Sequence, residues 1–184
     1  QSGVDSDLIC SENTISTNLN GYYFGNIILS GTPVGKAFVF VGLIGTHKLC
    51  ENDLTINNGS NSLSAILTNV AANVEIGGNI IVNTNRFVFG AVGSSTISHI
   101  VKGDIIGNGG IIDLNQNSGA SATVFVNLEG NLDIKTASQL ISTDDGCKYV
   151  FGKSGLQTIS NASSSGLGSR VDFDVASGST TRLI

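Results

Sequence analysis

A short pattern returns along this chain at nearly constant spacing. Gly or Asn, usually followed by Asn or Asp, opens a brief apolar run. The copies are Gly25-Asn26-Ile27-Ile28-Leu29, Asn52-Asp53-Leu54-Thr55-Ile56, Gly78-Asn79-Ile80-Ile81-Val82, Gly103-Asp104-Ile105-Ile106-Gly107 and Gly130-Asn131-Leu132-Asp133-Ile134. Gly155-Leu156-Gln157-Thr158-Ile159 is a degenerate sixth. The starts at 25, 52, 78, 103, 130 and 155 give intervals of 27, 26, 25, 27 and 25 residues. A period of this length means one small structural unit repeated, each burying its apolar side against the next. Residues two and four after each start share one face of a strand, because strand side chains alternate. The pairs Ile27/Leu29, Leu54/Ile56, Ile80/Val82 and Leu132/Ile134 then stack into an aliphatic ladder. Gly107 is expected to leave a gap in it. Gln157 sets an amide among carbons, or marks a slipped register.

Other segments alternate in the same way. Val124, Val126 and Leu128 point one way, and Val171, Phe173 and Val175 another, with Asp172 and Asp174 facing out. Asn57-Asn58-Gly59-Ser60, Asn108-Gly109-Gly110, Asn117-Ser118-Gly119 and Asp144-Asp145-Gly146 are turn signals between the runs. Leu63, Ile66, Leu67 and Val70 have helical spacing, but the segment is read as a third strand with a loop. Helices between strands would not fit this density, and 24 glycines with much Asn, Ser and Thr disfavour long helices. The expected fold is all-β: a right-handed parallel β-helix, or β-solenoid, with coils of 25–27 residues. A β-sandwich is the alternative, although it predicts no fixed period. About seven coils fit, in a stack about 35 Å tall. Residues 1–184 read as one solenoid segment with a less regular start at 1–24. Thr180 to Ile184 resemble the opening of another coil, so the chain is expected to be a fragment that continues into further repeats.

Only 12% of the 184 residues are charged and 40% are hydrophobic, the balance of a folded chain with an uncharged polar surface. The net charge of −5 and nine scattered Lys and Arg give no phosphate-binding patch, so nucleic acid is not an expected partner. No apolar run is long enough for a membrane-spanning helix. Cys10, Cys50 and Cys147 have no metal spacing, and the sequence leaves open whether any two form a disulfide.

No catalytic, cofactor-binding or metal constellation emerges, and no cofactor is expected. His47 and His99 fall at similar phases two coils apart, about 10 Å, too far to share a metal, and both read as surface or turn residues. Asp133, Asp172 and Asp174 are the only acids that a carbohydrate-cleaving β-helix could use. Thr55 and Thr158 share a position in the pattern, but Ile81, Ile106 and Asp133 interrupt any threonine row of the kind that binds ice.

Two longer similarities complete the reading. Lys36 to Leu49 resembles Gly146 to Ile159 at an offset of 110, which suggests a larger module around the coil. Gly130-Asn131-Leu132-Asp133-Ile134 and Tyr149-Val150-Phe151-Gly152-Lys153-Ser154-Gly155-Leu156-Gln157-Thr158-Ile159 resemble runs in secreted repeat proteins of the Bacteroidetes type IX secretion kind. That family includes gliding-motility and other surface adhesins. The resemblance implies a non-catalytic structural or adhesive module of an extracellular, cell-surface fibre, with surface glycans or other cell-surface proteins as partners. A carbohydrate-active parallel β-helix, lyase or hydrolase, is the alternative.

Overall fold

The repeating pattern builds one continuous sheet. In the computed structural model, Leu8–Cys10, Ile27–Leu29, Leu54–Ile56, Ile80–Val82, Ile105–Gly107, Leu132–Ile134, Gly155–Asn161 and Ser179–Leu183 lie side by side in that order. The structure describes residues 6–10, 16–18, 24–30, 38–41, 45–57, 64–66, 72–90, 96–115, 123–142, 145–168 and 170–184. A second sheet contains Ser16–Asn18, Phe38–Val41, Ser64–Ile66, Arg86–Gly90, Gly110–Asn115 and Ser138–Ile141. A third contains Gly45–Cys50, Ala72–Ile76, Thr96–Val101, Thr123–Leu128, Lys148–Phe151 and Asp172–Val175. From Ile27 to Phe151 the chain visits first, second and third sheet in strict rotation. Every described strand pair is parallel, for example Ile27 opposite Leu54 and Leu54 opposite Ile80. This is the parallel β-helix that the period predicts. An antiparallel sandwich would pair its strands the other way.

Alternation explains which side chains fill the interior. Each three-residue strand from Ile27–Leu29 to Leu132–Ile134 buries its first and third residues and leaves the middle one half-buried. The third sheet adds the columns Val74, His99, Val126, Tyr149 and Ile76, Val101, Leu128, Phe151. Phe87, Phe89, Ile112 and Leu140 come from the second sheet. Gly107 leaves no gap: a methyl there would meet the Ser138 side chain at 2.9 Å and the Ile112 side chain at 3.3 Å. The strand Ser64–Ile66 bears out the third-strand reading of its segment. Asn117-Ser118-Gly119 lies outside the described residues.

The coils are held in step by a column of side chains at the corner before the first sheet. Asp7 Oδ1 accepts the Asn26 backbone N–H at 2.9 Å. Asn26, Asp53, Asn79, Asp104 and Asn131 repeat this toward Asp53, Asn79, Asp104, Asn131 and Thr158, at 3.2, 2.7, 2.7, 2.6 and 2.8 Å. The column therefore alternates Asp and Asn from Asp7 to Asn131. Carboxylates on successive rungs would lie about 4.8 Å apart, where like charges repel. An amide between each pair removes that repulsion. The Asn26 and Asn131 Nδ2 groups also donate to Asp7 and Asp104, at 2.8 and 3.1 Å. The glycine before Asn79, and the one before Asp104, is there for space. A methyl at Gly78 would lie 2.7 Å from the Asn52 carbonyl carbon, and one at Gly103 2.6 Å from that of Gly78. On the far side of the strands Asn108 donates to Asn83, and Asn83 to Asn57, in a shorter amide column.

Two expectations need correction. The sixth repeat starts at Gln157, not Gly155, because Leu132 faces Ile159 and Thr158 continues the ladder 27 residues after Asn131. Gln157 occupies the glycine slot, where its amide donates to the carbonyls of Leu128 and Gly130 at 2.9 and 2.5 Å. The 110-residue module does not hold either. Phe38–Val41 lies in the second sheet, whereas its supposed counterpart Lys148–Phe151 lies in the third.

The ladder makes a direct prediction. Asn79→Ala leaves the Asp104 N–H without its acceptor and should cost about 1–3 kcal/mol in urea unfolding. Asn79→Asp keeps an acceptor but aligns three carboxylates. It should also destabilise, and that loss should shrink with added salt.

Candidate functional site

The acids that sequence reasoning singled out fall on two different sheets. Asp133 lies on the outer side of the first sheet and pairs with Lys135. Asp172 and Asp174 lie on the third sheet, exposed, with Asp174 2.6 Å from Lys148 Nζ. Lys148 also stands 5.2 Å over the Phe125 ring. Among the described residues, no group of three or more His, Cys, Asp and Glu side chains is placed to hold a metal ion. No described helix is long and apolar enough to cross a membrane.

The outer column of the first sheet is aliphatic rather than hydroxylic. Register aligns Ile9, Ile28, Thr55, Ile81, Ile106, Asp133 and Ser160. Thr158 belongs to the ladder and not to this column, so the two threonines do not share a position as the sequence suggested.

Buried polar chemistry stands instead at two places, one inside the coils on the third sheet and one on the covered outer side of the second. His99 is fully buried, which corrects its reading as a surface residue. Its place in the third sheet points it inward, level with Val74 and Val126. The strands Ala72–Ile76 and Thr96–Val101 pair only at Glu75/Ile100 and Ile76/Val101. Ahead of that point side chains replace the backbone bonds. The Val74 N–H donates to His99 Nδ1 at 3.1 Å, and the Ser98 N–H to Asn73 Oδ1 at 2.8 Å. Since Nδ1 accepts, Nε2 carries the proton, and it donates to the Phe89 carbonyl at 3.1 Å. Burial lowers the His99 pKa to about 4, partly offset by the Phe89 bond. His47 shares this column two rungs earlier and is half-buried.

Asp113 is the second buried group. Ile112, Asp113, Leu114 and Asn115 are all buried in succession, so both sides of this stretch are covered. Arg86 reaches it diagonally from the neighbouring strand, with Nε 3.0 Å from Oδ2 and Nη2 on the same oxygen. The Asn115 N–H donates to Oδ1 at 3.1 Å. A buried carboxylate needs such partners, since an unpaired one carries a large desolvation cost. Nearby, the Tyr149 hydroxyl has no hydrogen-bond partner among the described residues. Burial, with the Asp113 charge second, holds its pKa well above the ordinary tyrosine value. Tyr149 packs edge-on to Phe89 at 6.3 Å and stacks on Phe173 at 6.0 Å.

The cysteines are separated. Cys50 and Cys147 are buried, on rungs of the third sheet four apart, about 19 Å along the stack. They cannot bridge each other. Burial pushes the Cys50 thiol up to about 12, so it stays protonated and unreactive. The Cys10 side chain lies outside the described residues.

Chemically, these buried groups act as tethers. His99 spends both ring nitrogens on backbone groups, Asp113 is held as half of an ion pair, and Tyr149 stays protonated. Sequence reasoning missed Arg86 and Asp113 altogether. Their one signal was an acid inside the apolar run Ile111 to Leu114, 27 residues from an arginine. No family model matches the chain, nor does any curated protein or solved structure.

Two outcomes are expected. His99 is neutral in the fold and has a lowered pKa, so the unfolded chain binds more protons between about pH 6.5 and 4. Its contribution is complete above about 6.5 and falls as pH drops toward 4, by on the order of 3 kcal/mol. Denaturant midpoints measured against pH should show this, and His99→Gln should flatten the upper part of the slope. Arg86→Leu leaves Asp113 buried without its cation and should cost about 3–5 kcal/mol in the same assay.

Proposed function

We propose that the chain is a structural and adhesive module of an extracellular fibre at the cell surface, exported by the type IX route and serving attachment or gliding. The observation that carries this reading is the repeated coil itself, whose recurring residues are spent on stacking one rung on the next. Asp133 sits on one face and Asp172 and Asp174 on another, each of Asp133 and Asp174 paired with a lysine. Asp172 and Asp174 share one face of a strand about 7 Å apart, inside the roughly 5–9.5 Å of a glycosidase pair, so the carbohydrate-active alternative rests on those two acids. The resemblance of residues 130–159 to type IX repeat adhesins supports the adhesive role. So does the outer column of Asn57, Asn83 and Asn108, whose amides suit hydrogen bonding to surface glycans or to other cell-surface proteins.

Deleting the gene for the parent protein should reduce surface attachment or gliding, and restoring it should recover both. Unchanged attachment and spreading would remove the adhesive role. Sugar release from a panel of polysaccharides incubated with the purified chain would favour the carbohydrate-active alternative instead.

A further inference from the structure

Alternation turns three columns of side chains outward along the middle of the first sheet. The Asp and Asn ladder forms one border, and the amides of Asn57, Asn83 and Asn108 form the other. Between them runs a stripe of Ile28, Thr55, Ile81 and Ile106. Every position returns at each rung, about 4.8 Å further along, so the four rungs span about 14 Å. The pattern stops inside the stack. On the next rung Asp133 takes the isoleucine place and Lys135 the asparagine place, and the two pair with each other.

The amide border has hydrogen-bonding capacity left over. Asn108 Nδ2 donates to Asn83 Oδ1 at 2.7 Å, and Asn83 Nδ2 donates to Asn57 Oδ1 at 2.5 Å. A side-chain amide has two N–H donors and two lone pairs. Each bond along the column therefore leaves one N–H on its donor and one lone pair on its acceptor for an outside partner. Asn57 and Asn108 are exposed, and the three isoleucines of the stripe are half-buried, with part of each side chain open to contact.

These properties select the occupant. The backbone groups of the four strands are spent on the strands beside them, so this face offers no edge to an added peptide strand. Residues 26–30, 53–57, 79–83 and 104–108 contain no aromatic residue and no arginine, the side chains that anchor most protein partners. They contain Asp53 and Asp104 but no lysine either, so polyanions are repelled. A neutral, extended glycan meets every condition. Its ring C–H faces suit the isoleucine stripe, its hydroxyls both donate and accept as the amides do, and its sugars advance by close to one rung each.

We propose that this outer face of the first sheet binds a neutral, extended polysaccharide laid along the stack, about one sugar to each rung from Ile28 to Ile106. The assignment rests on the adhesive reading and names its ligand class and its surface. Each rung contributes a weak contact, and linked contacts along one chain reinforce one another, so affinity rises with the length of the glycan.

Isothermal titration calorimetry of the purified 184-residue chain with cello-oligosaccharides of increasing length tests it. Affinity should climb with each added glucose unit and level off once the ligand covers the four rungs. Polygalacturonate, an anionic chain, should not bind. Asn83→Ala and Asn108→Ala should each weaken binding about fivefold, the effect of one lost hydrogen bond. Ile81→Lys, which sets a charge in the stripe, should weaken it by about tenfold or more. Ile100→Lys makes the same change at a half-buried outward position of the third sheet and should leave binding unaltered. Far-ultraviolet circular dichroism should be unchanged in all four variants. Absence of binding by any cello-oligosaccharide, glucose binding as tightly as the longer chains, polygalacturonate binding equally well, or equal losses in Ile81→Lys and Ile100→Lys would overturn the proposal. Calorimetry on the isolated chain reports on this face alone, whereas the gene deletion reports on attachment, so the two readings fail separately.

Discussion

Everything in this fold depends on a single contact repeated along one corner: a side-chain oxygen accepting the backbone N–H of the equivalent residue in the next coil. Parallel strands stacked by main-chain bonds alone can slip, because each rung looks much like the next. The Asp and Asn ladder removes that freedom. It assigns one residue per coil to one position, and the glycine before Asn79, Asp104 and Asn131 lets the backbones come close there. With register set there, the alternation of each strand decides the rest. Ile, Leu and Val fall inside at two fixed places, and the outer column follows without further instruction.

The interior departs from this simplicity between the second and third sheets, where the aliphatic columns give way to His99 and Tyr149. The departure has a geometric cause. The strands Ala72–Ile76 and Thr96–Val101 part over half their length, and His99 and Asn73 supply the hydrogen bonds that the separated backbones cannot make to each other. Phe89 then serves twice, as the ring facing His99 at 5.8 Å and as the carbonyl that receives its proton. A polar group buried at such a place is more specific than a leucine, because only one orientation satisfies both nitrogens.

Much of this was legible in the residues. The period, the ladder pairs and the inward set Val124, Val126 and Leu128 all follow from alternation and repetition, which are local properties. What was not legible depended on neighbours far along the chain. Gly155 imitated a repeat start, and only the strand register shows that Gln157 holds the glycine slot two residues later. His99 looked like a turn residue because its burial depends on the parting of two coils. Asp113 and Arg86 are partners across a rung, and nothing in either local stretch announces the other. The similarity between Lys36 to Leu49 and Gly146 to Ile159 misled for a different reason. Aromatic, valine and glycine residues in that order suit an inward strand and a tight exit on any face, so the likeness reflects shared local demands rather than equivalent places in the stack.

The alternation of Asp and Asn also gives the stack a kind of parity. Excising the coil that bears Asn79 would bring the carboxylates of Asp53 and Asp104 onto adjacent rungs, whereas excising the one that bears Asp53 would bring together only the amides of Asn26 and Asn79. Coils of nearly equal length and shape are therefore not interchangeable when such a chain gains or loses repeats. Units whose corner Asn lies between two acids, as Asn26 and Asn79 do, are safely lost only together with an acidic neighbour, and duplication of a single acidic unit is disfavoured for the same reason. A chain of this design grows or shrinks most easily by two coils at a time.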